Sequence, residues 1–489
     1  MIPLTLKEIS ELTGGAVHGT DDPGGVVVSG VVSTDSRECG PGSLYVARVG
    51  EHADGHDFVA SAAERGAVAA LTSRVVDALP CVVVDDVQTA FGLLARGVLD
   101  RAPQVRVIGI TGSSGKTSTK DLLASVLATA GETVAPVNSL NGEIGVPLTV
   151  CRITPTTRFL VAEMGARGIG HVAYLTRIAP PDVAIVLNVG TAHVGEFGSR
   201  ENIAIAKGEL PQALPPEGLA ILNADDPIVA GMRDRTTARV QLVGLSPDAD
   251  VRAVDVTLSE LGQPSFSLVT PLGERRVSLR LSGAHHVANA LAVAAACLAV
   301  GLGLDDVVTG LEAARPVSRW RMEVTERPDG VVVVNDAYNA NPDSMRAALD
   351  ALAAIHTTGR RWAVLGEMLE LGAESAAEHA GVGAYAARLG IHHVVAVGEG
   401  ARAIGAPEWL PDTDAAHDFL VDHLRPGDVV LLKSSRDSGL RWLGDRLAGI
   451  GGHADHDAGP KDAGPRDAGP KDGRPDEARP DDAGRKVNS

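Results

Sequence analysis

Runs of apolar, β-branched residues alternate along most of the chain with stretches whose apolar positions recur every three to four residues, the pattern of a sheet flanked by helices. The runs predict strands at 105–110, 159–163, 183–188, 220–223, 331–335, 362–365, 394–397 and 429–433. Strands this uniformly apolar are expected to be buried on both faces in parallel sheets, whose ligands sit beyond the carboxyl ends of the strands. Pro103 precedes the first of these strands, and Arg315-Pro316 separates an Ala-rich helix from a new strand set. The breaks divide the chain into segments 1–101, 102–315 and 316–449. From 450 to 489 an Ala-Gly-Pro-Lys/Arg-Asp repeat with almost nothing apolar predicts a disordered tail.

One strand and helix pair carries evident chemistry. The segment VIGITGSSGKTSTKDLLASVLATAG is an apolar strand, a Gly/Ser turn and a helix whose Leu122, Leu123, Val126 and Leu127 share one face, closed by Gly131. Glycines at 112 and 115 let backbone amides approach phosphate oxygens at a helix N-terminus, Lys116 adds a point charge, and the Thr117 hydroxyl can ligate magnesium. Gly112, Ser113, Ser114, Gly115, Lys116, Thr117 and Ser118 thus form a candidate nucleoside-triphosphate cradle. The strict phosphate-loop pattern wants glycine at 110, where this chain has Ile110.

Composition narrows the class. With 489 residues, 44% hydrophobic and 22% charged, the chain can bury several cores, and its length suggests about three domains. A net charge of -18 argues against nucleic acid or an anionic membrane surface as the main partner, so a polyanionic substrate must meet local cations or metal. Cys39, Cys81, Cys151 and Cys297 are widely spaced with no C-x-x-C pair, which suggests neither zinc nor a disulfide framework. The first residues lack a secretory profile and the longest apolar run, 290–304, is too short for a membrane span. A cytoplasmic protein with no membrane insertion is expected, and a monomer.

The loop form TGSSGKTST resembles that of the Mur ligase family, and further motifs follow in the family's order: NGEIGVPLT at 141–149, AEMGA at 162–166, NVGTAHVGEFGS at 188–199, AKGEL at 206–210, NADDP at 223–227, HHVANA at 285–290, RMEV at 321–324, DAYNANPDS at 336–344 and LLKSSR at 431–436. The resemblance implies an α/β protein of three domains: an N-terminal uridine-nucleotide-binding domain, a central phosphate-loop ATPase-type domain built on a parallel sheet, and a C-terminal Rossmann-like domain. It also implies ATP-dependent activation of a carboxylate to an acyl phosphate, followed by amide formation. Glu163 resembles the family's metal-binding glutamate, and a hard oxygen ligand suits magnesium. His193 matches the histidine that helps hold a second magnesium ion. Lys207 resembles the lysine that becomes carbamylated, which requires a neutral, partly buried amine; the alternative is a surface lysine pairing with Glu201 or Glu209.

By the same resemblance, Asp336 would bond the ATP ribose, Arg321 would reach the ATP phosphates and Asn289 would contact adenine, unless Asn289 only caps a neighbour on its helix. Ser36 and Arg37, in STDSR at 33–37, are uridine-diphosphate candidates; a turn or capping role is the alternative. Asn141 lies where the muramoyl peptide is expected. Tyr338, Asn339, Asn341 and Ser344 offer groups for a peptide amine or carboxylate, although the N-P-D-S run equally suits the start of a helix near Pro342. Lys433 and Arg436 are candidate contacts to phosphate or an incoming carboxylate.

Within the family, EMGA, N-x-E-I-G-V-P and DAYNANP resemble the branch that adds D-alanyl-D-alanine to UDP-N-acetylmuramoyl-tripeptide, and the D-N-P-[RK] signature of the diaminopimelate- or lysine-adding branch is not found. Gly142, His286, Arg319 and Ser434 depart from the usual pattern. A folylpolyglutamate synthase shares the reaction type, but the uridine-type first segment speaks against it. A non-catalytic ATP binder would be expected to lack some of Lys116, Glu163, His193 and Lys207, and all are present.

Overall fold

The computed structural model describes residues 1–190 and 194–450; His193 and the tail beyond 450 lie outside the described residues. Three helix-flanked sheets follow one another along the described chain. The first has the order Ala16–His18, Cys81–Val83, Ala67–Thr72, Ser43–Val46, Val32–Ser33, all parallel except its first pair. Helix Val87–Asp100 buries Phe91, Leu94 and Val98 and packs against helix Leu6–Thr13.

The second sheet has nine strands in the order Gly273–Ser278, Pro264–Thr270, Val251–Leu258, Arg239–Gly244, Leu219–Asn223, Val183–Val186, Arg106–Thr111, Phe159–Glu163, Thr133–Val134. The chain leaves Arg106–Thr111 first toward one edge and later toward the other. The carboxyl end of that strand is therefore a topological switch point, where doubly wound sheets bind ligands. Helix Lys116–Leu127 starts there, with Leu122, Leu123, Val126 and Leu127 buried as the pattern predicts. It ends at Leu127, four residues before the expected break near Gly131. Helix His286–Ala299, buried along nearly its whole length, packs against it and accounts for the long apolar run.

Two sequence expectations need correction. The sheet is not wholly parallel: Val251–Leu258, Pro264–Thr270 and Gly273–Ser278 form an antiparallel meander. Pro264–Thr270 alternates buried and half-exposed positions because one face is covered and the other wet, so it carries no continuous apolar run to detect. The strand expected at 183–188 ends at Val186 because the next residues are drawn away. Asn188 accepts from Ser114 N through Oδ1 at 2.9 Å and from Ser113 N through its carbonyl at 3.1 Å.

The third sheet has the order Glu323–Glu326, Val332–Asn335, Val429–Lys433, Arg361–Leu365, His393–Val397, Glu408–Leu410, parallel after its first pair. Its base is pinned by Asp428, 1% exposed. The carboxylate accepts from Arg360 N at 2.8 Å, Arg360 Nη2 at 2.7 Å, Trp362 Nε1 at 3.0 Å and Arg425 N at 3.0 Å. Burial opposes its charge, yet the donors of Arg360, Arg425 and Trp362 hold the carboxyl below its ordinary value. A depressed carboxyl stabilises the fold above the unfolded-state pKa of about 4 and loses that contribution as pH falls through the folded value. We expect Asp428→Ala to destabilise this sheet by about 3 kcal/mol. Urea unfolding followed by tryptophan fluorescence should show a deficit that is full at pH 7 and shrinks below about pH 4; a deficit that does not change with pH would assign the loss to packing.

Candidate active site

The turn after Arg106–Thr111 wraps tightly on its neighbours. A Cβ on Gly112 would lie 3.0 Å from Leu187 Cβ, and Gly115 holds φ +79° with Asn289 Oδ1 3.0 Å from where its Cβ would be. Glycine is required at both points, one for close approach and one for a left-handed backbone. Lys116 Nζ donates to Gly112 O at 2.6 Å, folded back over the loop. Burial lowers its pKa, with Arg321 adding to that and Glu163 opposing it.

Glu163 ends its strand beside this loop, 1% exposed. Its Oε1 accepts from Asn141 Nδ2 at 2.7 Å and lies 3.3 Å from the Thr117 hydroxyl, while Oε2 is buried with no hydrogen-bond partner. Thr117 Oγ1 also meets Ser139 Oγ at 2.8 Å. Lys207, on helix Arg200–Gln212, is 3% exposed, so the surface alternative does not hold. Glu209 is turned elsewhere, accepting from Gly170 N at 2.5 Å and Ala173 N at 2.9 Å. Burial, reinforced by the nearby Lys116 charge, takes the Lys207 pKa well below its ordinary value. Among the described residues, no three His, Cys, Asp or Glu side chains converge as a metal set; His193 lies outside them.

The third sheet presents its carboxyl edge to the same loop. Arg321 reaches across, its Nη2 3.2 Å from Ser139 Oγ and 3.5 Å from Thr117 Oγ1, with its guanidinium 4.3 Å from the Tyr338 ring centre. Asn341 Nδ2 is 3.5 Å from Ser113 O. Asp336, 9% exposed, bonds Lys433 Nζ through Oδ2 at 2.6 Å and Met322 N through Oδ1 at 3.1 Å. Between the two sheets lies a pocket of about 920 Å³, open in part to solvent, lined by Ser114, Gly115, Ser118, Asn289, Arg321, Asp336 and Lys433.

Other expected site residues have local duties. Asn341 caps helix Pro342–Ala354 in a capping box with Ser344, realising the structural alternative for that run. Asn339 is exposed, and its carbonyl accepts from Lys433 Nζ at 3.1 Å. Lys433 is 2% exposed and spends its ammonium on Asp336 and the Asn339 carbonyl, so it fixes Asp336 rather than standing as an open cation. Arg436 lies 5.7 Å from the Tyr338 ring centre, beyond the carboxyl end of the neighbouring parallel strand. Asn289 approaches His286 Nδ1 at 3.5 Å, a neighbour on its helix, while still lining the pocket. Ser36 is buried in a short 3-10 turn capped by Asp35, whose carboxylate also holds the exposed Arg37 guanidinium at 2.6 Å. The sequence reading did not single out Ser139, Asn188 or His285, the last two of which also line the pocket. Asn188, following a strand, carried the signal given to other polar strand ends, whereas Ser139 had none.

The family models divide the chain in the same sequence as the sheets. The Mur ligase family catalytic domain matches residues 30–90, the Mur ligase middle domain 110–297 and the Mur ligase glutamate ligase domain 320–436. A UDP-N-acetylmuramoyl-tripeptide--D-alanyl-D-alanine ligase of Mycobacterium bovis is 46% identical over 91% of this chain and 98% of its own length. The chain belongs to the Mur ligase family. Its three-domain α/β fold is that of the solved Mur ligases. The crystal structure of MurF from Acinetobacter baumannii superposes with a TM-score of 0.84 at 33% identity, covering 91% of this chain and 99% of that one. MurF from Thermotoga maritima in complex with ADP gives 0.77 at 29% identity, over 86% and 98%.

The arrangement in this Mur ligase can hold a nucleoside triphosphate with its phosphates at the helix N-terminus. Gly115→Ala would force an alanine into the left-handed region, at about 1–2 kcal/mol, and press on Asn289. ADP titrated calorimetrically into this variant should bind about tenfold more weakly, with the melting temperature lowered by only a few degrees; unaltered affinity would detach Gly115 from the nucleotide site.

Proposed function

We propose that this Mur ligase joins D-alanyl-D-alanine to UDP-N-acetylmuramoyl-tripeptide at the expense of ATP, forming the pentapeptide precursor of peptidoglycan with ADP and phosphate. The observation that carries the reading is the meeting of two strand-end clusters: Arg321 of the third segment reaches Thr117, which lies against Glu163, and beside them one pocket is lined by Ser114, Gly115 and Ser118 of the phosphate loop and by Arg321 and Asp336. The 46% identity to a D-alanyl-D-alanine ligase, spanning 98% of that protein, supports the choice of amine.

In this reading segment 102–315 binds ATP, 316–449 closes over it, and 1–101 holds the uridine nucleotide through Ser36 and Arg37. The tripeptide carboxylate, near Asn141, attacks the γ-phosphorus in line, and the electrons of the breaking bond leave with ADP. The dipeptide amine then attacks the acyl phosphate carbon, loses a proton and expels phosphate. Lys116 and Arg321 stabilise the charge spread over the transferring phosphoryl oxygens. Asp336 would hold the ribose, Asn289 the adenine, and Tyr338, Asn339 and Arg436 would border the incoming dipeptide.

Glu163 and Thr117 fit magnesium: a buried carboxylate with one oxygen free of hydrogen bonds, beside a hydroxyl, is a hard oxygen donor set. His193 and a carbamate on Lys207 would complete a two-ion site, and magnesium there would neutralise phosphate charge. The depressed pKa of Lys207 supplies the neutral amine that carbon dioxide requires. Among the described residues no helix is long and apolar enough to cross a membrane; we place the enzyme in the cytoplasm, acting as a monomer on small-molecule substrates.

Phosphate release should require UDP-N-acetylmuramoyl-tripeptide and D-alanyl-D-alanine together. Turnover with diaminopimelate, lysine or glutamate in place of the dipeptide would move the chain to another branch. Lys207→Ala should lower turnover about a hundredfold or more with the melting temperature preserved. Protein equilibrated with ¹³C-bicarbonate should show a carbamate carbon resonance that the variant lacks, and full activity of Lys207→Ala would remove the carbamate from the mechanism.

A further inference from the structure

Arg321 is carried on a strained backbone. Trp320 and Met322, immediately before and after it, both hold positive φ, 57° and 51°. Left-handed backbone is unfavourable for any side chain with a Cβ, and persists only where surrounding contacts impose it. Here the contacts are explicit. Trp320 is 2% exposed, its Nε1 donating to both Asp445 carboxylate oxygens at 3.1 Å and its N donating to Glu323 Oε2 at 3.0 Å. Its ring meets Trp442 edge-on at 5.0 Å and stacks at 6.4 Å on Tyr338. Met322 N is held by Asp336 Oδ1 at 3.1 Å.

These contacts form a closed circuit around the arginine. Tyr338 N donates to Trp320 O at 3.3 Å, and the Tyr338 ring supports the Arg321 guanidinium at 4.3 Å. Asp445, 6% exposed on the last helix, also accepts from Asn335 Nδ2 at 3.3 Å and pairs with Arg319 at 2.9 Å. Its carboxylate therefore ties the strained segment to the last residue of the strand that leads into Asp336. Burial raises the Asp445 pKa, against the opposing pull of Trp320 and Arg319.

We propose that Trp320 and Asp445 are positioning residues for phosphoryl transfer: they hold the left-handed turn that aims Arg321 at the phosphate loop. The inference rests on the reading of Arg321 as the residue that meets the ATP phosphates. Glycine at 320 would relax the backbone and release the indole anchor, letting Arg321 swing off Thr117 and Ser139. A displacement of about 1 Å in such a group costs on the order of a hundredfold in rate.

The test is a double-mutant cycle on the full-length enzyme, with Trp320→Gly, Arg321→Ala and the double variant measured by phosphate release. Trp320→Gly should lower kcat by about tenfold to a hundredfold, leave the KM for D-alanyl-D-alanine unchanged, and cost nothing further in the Arg321→Ala background. If Trp320→Gly does not fold, Trp320→Phe takes its place in the cycle, keeping an aromatic ring and losing the indole N–H to Asp445 along with part of the ring. Asp445→Asn should recover part of the kcat that Asp445→Ala loses, since an amide oxygen can still accept from the indole. Independent, multiplying losses from the Trp320 and Arg321 variants would overturn the proposal, as would full kcat in Asp445→Ala. Full turnover in Arg321→Ala would instead overturn the role of Arg321 itself.

Discussion

A carboxylate stripped of water at the end of a buried strand is expensive, costing several kcal/mol unless charge and hydrogen bonds answer it. Glu163 is in that position, and much of the central site can be understood as the answer. Asn141 donates to it, which fixes the loop after residue 138 against the strand end, with Gly165 N closing back on Asn141 O at 2.8 Å. Ser139 is thereby set against Thr117, and Lys116 contributes positive potential from the loop. What the protein leaves unanswered is Oε2. One carboxylate oxygen is thus answered by hydrogen bonds and the other is not, which suits the magnesium site proposed above.

The third sheet supplies what the central one lacks. The molecule carries a net charge of -18, so anionic substrates are repelled at long range and must be drawn by a local concentration of cations. Arg321 adds such a charge within reach of Thr117 and Ser139, while Lys433 is neutralised in place by Asp336. The strand-end cations therefore divide the work. One faces the phosphate loop, and the other holds the carboxylate that lines the pocket. A second link, Lys120 Nζ to Asp121 Oδ1 at 2.5 Å with Ser318 N on Asp121 Oδ2 at 3.1 Å, fastens the segment before Arg321 to the phosphate-loop helix.

The phosphate loop was legible in the sequence because its chemistry is local: strand, glycines, lysine and hydroxyl lie within a dozen residues, and each has a conformational reason to be there. The strand ends at Glu163 and Asp336 were legible for a related reason, since a polar residue directly after a buried run has few places to go. The antiparallel meander was not, because a strand with one wet face hides its apolar residues at alternate positions. Nor was the left-handed turn at Trp320 and Met322, because nothing in a tryptophan or methionine signals positive φ. The cause lies more than a hundred residues away in Asp445, whose i to j contact no local pattern encodes. The uncertain roles of Asn341 and Ser344 were a real degeneracy: the groups that cap a helix are the groups that would bind a peptide, and the fold uses them as caps.

Lys207 and Lys433 show how far burial alone can be taken. Both are almost wholly inaccessible and both are pushed below the ordinary lysine pKa by desolvation. Their neighbours then separate them. Lys433 has Asp336 at 2.6 Å and the Asn339 carbonyl at 3.1 Å, so the charged form is retained and does structural work. The charged neighbour that acts on Lys207 is another cation, Lys116, which drives the proton off rather than holding it. A neutral amine in the field of a cation gains by becoming an anion, and carbamylation, as proposed above, is a reaction that accomplishes that change. The same residue type at the same depth is thus a clamp in the third sheet and a candidate for modification on helix Arg200–Gln212, and the sign of the neighbouring charge separates the two.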